Sequence, residues 1–341
     1  MLISMTKFNY SQICSNLLKD LPQRQKEVLF RRFALSAKIS DGGEAKRETL
    51  ESIGKEFGIT RERVRQIEKD AISRLKPEIT DKKYQKIFQY FKDYFKKSGD
   101  LKKEDSLLLE LVGGKKQTGK NQIFFLLNLN EQFERAGETD DFYSLWTINQ
   151  NSLGAAKRVI GVIYEKLKKI GEPLQFKELA ALDSSDPKKL ISYLEISKKI
   201  QKNSEGFFGL HDWPEINPRG VKDKAYLVFK KENKPLHFTA VAGLIDSALP
   251  QTVHNELIKD SRFVLVGRGI YALKEWGYER GYVKDVIFQV LKSAQKPLDK
   301  EEILEKVLKQ RIVKENTVLL NLSNKNYFLR TSKGNYTIKE A

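Results

Sequence analysis

Between Thr60 and Leu75 the chain sets arginine, glutamate and glutamine along one side of what reads as a helix. Arg61, Glu62, Arg65, Gln66 and Lys69 lie apart from the apolar Val64, Ile67, Ala71 and Leu75. These residue types suit one kind of chemistry. An arginine fork donates two hydrogen bonds to guanine, a glutamine amide pairs both groups on an adenine edge, and a carboxylate accepts from the cytosine amino group. Arg61, Glu62 and Gln66 are therefore a candidate base-reading set. Glu62 is the most telling of the three, since a surface built only to hold phosphates gains nothing from a carboxylate among Arg61, Arg63 and Arg65. The plain alternative, a charged and solvated helix face, accounts for any one of these residues taken singly.

The elements that must position this face follow from local signals. Thr49 is an expected N-cap for a helix over Leu50 to Phe57, and Gly58 ends it. Thr60 caps the next helix, which runs from Arg61 to about Lys76 before Pro77 stops it. Leu50, Ile53 and Phe57 line one side of the first helix, Gly54 leaves room for a close crossing, and Ile59 plugs the turn. Upstream, Leu21, Val28, Leu29 and Phe33 recur at a helical period, with Pro22 in the first turn. A polar stretch, Ser36 to Lys46 with Asp41-Gly42-Gly43, separates that helix from the pair. The pattern predicts a helix-turn-helix, whose second helix enters a major groove with its first residues leading.

Leu21-Pro22-Gln23-Arg24, Arg32-Phe33 and the run Glu48 to Leu75, centred on Thr60-Arg61-Glu62-Arg63-Val64-Arg65-Gln66-Ile67-Glu68, resemble region 4 of sigma-70 factors over about residues 17 to 78. The resemblance implies recognition of a promoter minus-35 element. Arg61, Glu62 and Gln66 fall at the base-contacting positions, and Arg24, Arg32 and Arg65 at positions that hold the phosphate backbone. Lys69, on the same face, joins the phosphate set. The resemblance also implies docking on the flap of the RNA polymerase beta subunit. Two departures stand out: the loop from Ala34 to Arg47 is longer than the family's, and no segment resembles the parts of sigma that bind the minus-10 element and melt DNA.

The remainder of the chain repeats. Pro173-Leu174, Pro235-Leu236 and Pro297-Leu298 recur at equal spacing, and each precedes a glycine-led, strand-like signature that begins at Gly206, Gly269 or Gly334. Within one copy, Tyr226 to Lys231, Phe238 to Asp246 and Thr252 to Asp260 read as helices. Phe263 to Val266 and Ile270 to Leu273 alternate as strands around Gly267-Arg268-Gly269. That order describes a winged helix. A divergent fourth copy is expected upstream, with Leu101 in place of the Pro-Leu pair and Phe142 to Trp146 as its last strand. The segment Lys234 to Phe238 with Gly267 to Leu273 is similar to the HARE-type winged helix, a family that includes the N-terminal domain of the polymerase delta subunit. That similarity implies contact with DNA or with polymerase. Small helical docking domains without DNA contact are the competing reading, because fold alone does not give function.

The expected architecture is mainly α. A helix-turn-helix domain at 1–79 is followed by a helical, winged-helix-like segment at 80–152 and by winged-helix units at 155–216, 221–277 and 281–341.

Composition narrows the partners. The chain has 341 residues, too many for one ordinary core. Its net charge of +17 favours a polyanion, and double-stranded DNA leads. No apolar run is long enough for a membrane span and the N-terminus lacks the zones of a secretory signal, so a cytoplasmic protein without membrane contact is expected. A single cysteine, Cys14, excludes an internal disulfide. His211, His237 and His254 lack partners at metal spacing, so neither metal nor cofactor is expected. Gly114 to Lys120 mimics a phosphate-binding loop, but Asn121 stands where the magnesium-binding hydroxyl belongs. The aromatic cluster Phe88, Tyr90, Phe91, Tyr94 and Phe95 has helical spacing and reads as a core stripe before a base-stacking platform. No catalytic constellation stands out, and the expectation is a protein that is not an enzyme.

Overall fold

The computed structural model describes residues 8–35, 46–113 and 117–339. Most of the loop expected over Ser36 to Lys46 and the Gly114-Lys115-Lys116 part of the loop mimic lie outside them. The chain divides into two compact units, one ending at His211 and the other beginning at Asp212. Both are mainly helical and carry small sheets whose strands all pair antiparallel among the described residues.

The first unit opens with α1 (Tyr10–Leu18), α2 (Gln23–Phe33), α3 (Leu50–Phe57) and α4 (Arg61–Leu75). After a single 3-10 turn come α5 (Lys82–Lys97), β1 (Leu101–Lys103), α6 (Glu104–Val112), α7 (Gln117–Leu129), β2 (Glu134–Ala136) and β3 (Leu145–Thr147). The sheet order is β1-β3-β2. The unit closes with α8 (Gln150–Ile170), α9 (Phe176–Ala181), α10 (Pro187–Ile196), β4 (Ile200–Lys202) and β5 (Phe208–Leu210). One apolar cluster runs from Cys14 on α1 through Phe33, Leu75, Phe91 and Phe125 to Trp146 on β3. Phe88, Phe91 and Phe95 lie buried within it, while Tyr90 and Tyr94 are half-buried at its edge, so most of the aromatic stripe is core.

The second unit holds α11 (Gly220–Glu232), β6 (Leu236–His237), α12 (Phe238–Gly243), α13 (Pro250–Lys259), β7 (Phe263–Gly267) and β8 (Ile270–Leu273). It continues through α14 (Val283–Ala294), α15 (Lys300–Gln310), α16 (Glu315–Leu322), β9 (Phe328–Arg330) and β10 (Tyr336–Ile338). The helix expected over Phe238 to Asp246 stops early. It ends at Gly243, a poor helix former, and the chain turns beyond it, with Ser247 at a left-handed φ of 61°.

The Pro-Leu repeat has a shared structural consequence. Leu174, Leu236 and Leu298 each form an antiparallel bridge to the returning strand, at Phe208, Tyr271 and Tyr336 respectively. In the upstream segment, Leu101 pairs with Thr147 on β3 in the same sense. Each leucine thus fastens the start of its second helix to the last strand of its own segment. All four are buried or nearly so, apart from the half-buried Leu174.

Candidate nucleic-acid interface

The candidate base-reading face is presented by α4, and α4 is held by capping and by a small core of its own. The Thr49 hydroxyl accepts from the Ser52 amide at 3.1 Å and opens α3, while Gly58, at φ 63°, closes it. The Thr60 hydroxyl then accepts from the Arg63 amide at 3.2 Å and starts α4. Val28 from α2, Ile53 from α3 and Val64 and Ile67 from α4 form a buried knot, with Leu50, Phe57 and Ile59 packed around it. Further along α4, Ala71 and Leu75 enter the larger core. Gly54 lies at the crossing. A Cβ added there would stand 2.7 Å from the Ile59 carbonyl oxygen, so only glycine lets the turn pass this close.

The outward face is exposed at Arg61, Glu62, Arg63, Arg65, Gln66 and Lys69. Two of the candidate readers are already engaged. Glu62 accepts both nitrogens of the Arg65 fork, at 2.8 and 2.7 Å, and that pairing holds its carboxyl below the usual range. Gln66 accepts from Arg63 Nη1 at 3.0 Å. Both are solvent-screened pairs three residues apart on one helix, so a nucleobase can displace them at little cost.

The residues expected at phosphates divide. Arg24 is exposed in the first turn of α2. Arg65 is exposed and paired to Glu62, and Lys69 is exposed on α4. Arg32, half-buried near the end of α2, donates to the Glu48 carbonyl at 3.0 Å and pairs with Glu68 of α4 at 3.4 Å. Burial pushes the Glu68 carboxyl above its ordinary range, and Arg32 partly opposes that. Arg32 therefore braces α4 against α2.

Sequence reasoning missed two further braces. Arg31 pairs with Glu56 of α3 through both guanidinium nitrogens and reaches Glu48 at 3.8 Å. On α7, the buried amides Asn121 and Gln122 donate to the carbonyls of Ala34 and Leu35, where the chain leaves α2 through a left-handed Ala34. Arg47, where the chain returns, bonds the Asn121 side chain at 3.3 Å and lies 3.5 Å from the centre of the Phe124 ring. The residue that stood against a phosphate-binding loop is thus a buried structural amide.

His237 caps α12, and His254 stacks on Phe238 at 4.4 Å. Among the described residues no group of three or more His, Cys, Asp or Glu could hold a metal ion, and no helix is long and apolar enough to cross a membrane.

The family described as Sigma-70, region 4, matches residues 17–76, which contain α2, α3 and α4 with the Arg31–Glu56 and Arg32–Glu68 pairs, but not the α7 amides. The chain is similar to RNA polymerase sigma factor RpoD of Helicobacter pylori strain 26695, at 48% identity over 61 residues, and equally to RpoD of strain J99. The match covers 18% of this chain and 8% of those proteins. Similarity to RNA polymerase sigma factor SigA of Clostridium acetobutylicum is 45% over 67 residues, covering 20% of this chain and 16% of that protein. The chain thus spans under a fifth of the length of the curated relatives it matches.

Proposed function

We propose that this chain is a DNA-binding transcription regulator of the sigma-factor type, which reads a minus-35-like element in intact duplex with α4. The observation that carries the reading is the pairing of a buried helix-turn-helix knot with an exposed Arg, Glu and Gln face at the start of α4. Arg61, Glu62 and Gln66 read base edges. Arg24, Arg65 and Lys69 hold phosphates, and Arg32 does so while bracing α4 through Glu68. No cofactor and no catalysis are involved. The protein works in the cytoplasm, with RNA polymerase as a partner through the beta flap.

In the same reading, residues 80–152 are a helical, divergent winged-helix segment, 155–216 and 281–341 are winged-helix-like repeats, and 221–277 is a HARE-type winged helix. For the second unit, a polymerase-associated adaptor role through protein contacts has its own support. The third helices there are poor in cations: α13 exposes Ile258 and α16 exposes Leu320, and the only charged residue of α16 is Glu315.

Selection of random duplexes on the purified chain, with and without polymerase, tests the function. A preferred site should emerge. Arg61→Ala should then cost roughly 1–3 kcal/mol on that site and relax preference at one base pair. Equal weakening of preferred and random duplex by Arg61→Ala and Glu62→Ala would show that α4 does not read bases.

A further inference from the structure

The segment after α4 carries a second concentration of charge. Helix α5 has six lysines, Lys82, Lys83, Lys86, Lys92, Lys96 and Lys97, against one acid, Asp93. Lys82 with Lys86, and Lys92 with Lys96, are like-charge pairs four residues apart, an arrangement that weakens a helix. Nearby carboxylates do not relieve it. Lys83 pairs with Asp81 at 3.9 Å and Asp93 accepts from Gln89 at 2.8 Å, but among the described residues no ion pair engages Lys82, Lys86 or Lys92. The row is rigid all the same, because Tyr84, Ile87, Phe88, Phe91 and Phe95 bury the opposite face of α5 in the main core.

Lys82, Lys86 and Lys92 line a groove of ≈ 1190 Å³ that begins at Lys76, at the end of α4. Gln85, Gln89, Asn130 and Gln132 add amides to its walls. Phe8 and Tyr90, with ring centres 5.4 Å apart, supply an aromatic side. The two acids in the groove are both occupied, Asp93 by Gln89 and Glu131 by Lys76. Fixed cations with amides and an aromatic wall are the chemistry that tracks a phosphodiester backbone.

We infer that the α5 groove is a second nucleic-acid site, in which Lys82, Lys86 and Lys92 neutralise successive phosphates of a strand that α4 does not hold. Apart from Lys76 at its edge it lies outside residues 17–76, and it does not depend on α4 reading bases. The strand can come from single-stranded nucleic acid or from flanking duplex, and both present the same phosphodiester.

The test uses the full chain and fluorescent random-sequence oligonucleotides, single-stranded and duplex, titrated over a range of salt. The triple variant Lys82→Gln, Lys86→Gln, Lys92→Gln is compared with Lys157→Gln, Lys168→Gln, Lys169→Gln, which removes equal charge from exposed positions on α8. If the groove holds duplex, the α5 variant flattens the logarithmic salt slope by about 0.9 per lost phosphate contact, and if single strand, by about 0.7. A loss in either arm, larger than in the α8 control, supports the site and identifies the strand. Unchanged slopes in both arms, or equal losses from the two variants, would overturn it. Arg61→Ala, measured beside them on a preferred duplex, keeps the two ideas apart, since a silent Arg61→Ala there with an impaired α5 variant would refute base reading by α4 and leave the groove standing.

Discussion

Gly54→Ala places a methyl group where the chain turns from α3 into α4. The nearest atoms are all backbone: the Ile59 oxygen at 2.7 Å, then the Arg61 nitrogen and Thr60 carbonyl carbon at 3.4 Å. No flexible side chain can yield, and the Ile59 amide is tied to the Gly54 carbonyl at 2.9 Å. Alanine brings up to about 1 kcal/mol of helix propensity. Overpacking against fixed backbone costs about 1–3 kcal/mol, so the expected net is a loss of up to about 2 kcal/mol. For a unit of this size that is a fall of up to about 8 °C in Tm. Because the crowded atoms include the first residue of α4, binding to a preferred duplex should weaken with stability. Gly161→Ala is the control: this glycine lies inside α8 with no heavy atom within 4 Å of an added Cβ, and the substitution should stabilise by about 0.5–1 kcal/mol. Hydrogen exchange at the Ile59 and Val64 amides reads the local effect of Gly54→Ala, and urea unfolding reads the global effect of both. Slower exchange and a higher midpoint in Gly54→Ala would refute the close-crossing argument.

In the second unit, Arg262 bonds Asp223 at 2.7 Å and Asp260 at 2.6 Å, so Arg262→Ala leaves the buried Asp223 carboxylate without its cation. A loss of about 1–3 kcal/mol is expected in urea unfolding followed by a probe in that unit, and a loss below about 0.5 kcal/mol would show the network to be dispensable. Burial pushes the Cys14 thiol well above its ordinary range, so it stays neutral in the folded chain. Alkylation of native protein should remain slow at pH 9 and become fast in denaturant. The same raised value works against folding only above about pH 8.5, where the unfolded thiol ionises, and the loss grows as pH rises. Rapid native labelling at neutral pH would contradict the burial.

The interface was legible in the sequence to the extent that its signals are local. Thr49, Gly58 and Thr60 mark helix ends through bonds to residues three or four positions away, and the period of Val64, Ile67, Ala71 and Leu75 fixes which side of α4 faces out. The spaced Pro-Leu pairs were legible for a related reason, since a device used several times leaves a periodic trace even though its partner strand is some 34 to 38 positions away.

Tertiary structure alone decided what each cation does. Arg32 and Arg24 are the same residue type on the same helix, yet Arg32 turns to Glu68 and the Glu48 carbonyl while Arg24 stays exposed. Asn121 and Gln122 sit in a string that mimics a phosphate loop, and their roles come from carbonyls 87 positions away, an interaction that no local pattern encodes. The lysines of α5 are unremarkable as a string. Only burial of the opposite face and the acids' other engagements leave three of them lining an open groove. Helix caps and periods are written by neighbouring residues, whereas the pairing of charges and buried amides depends on which distant segments the core draws together, and that is set when the chain packs.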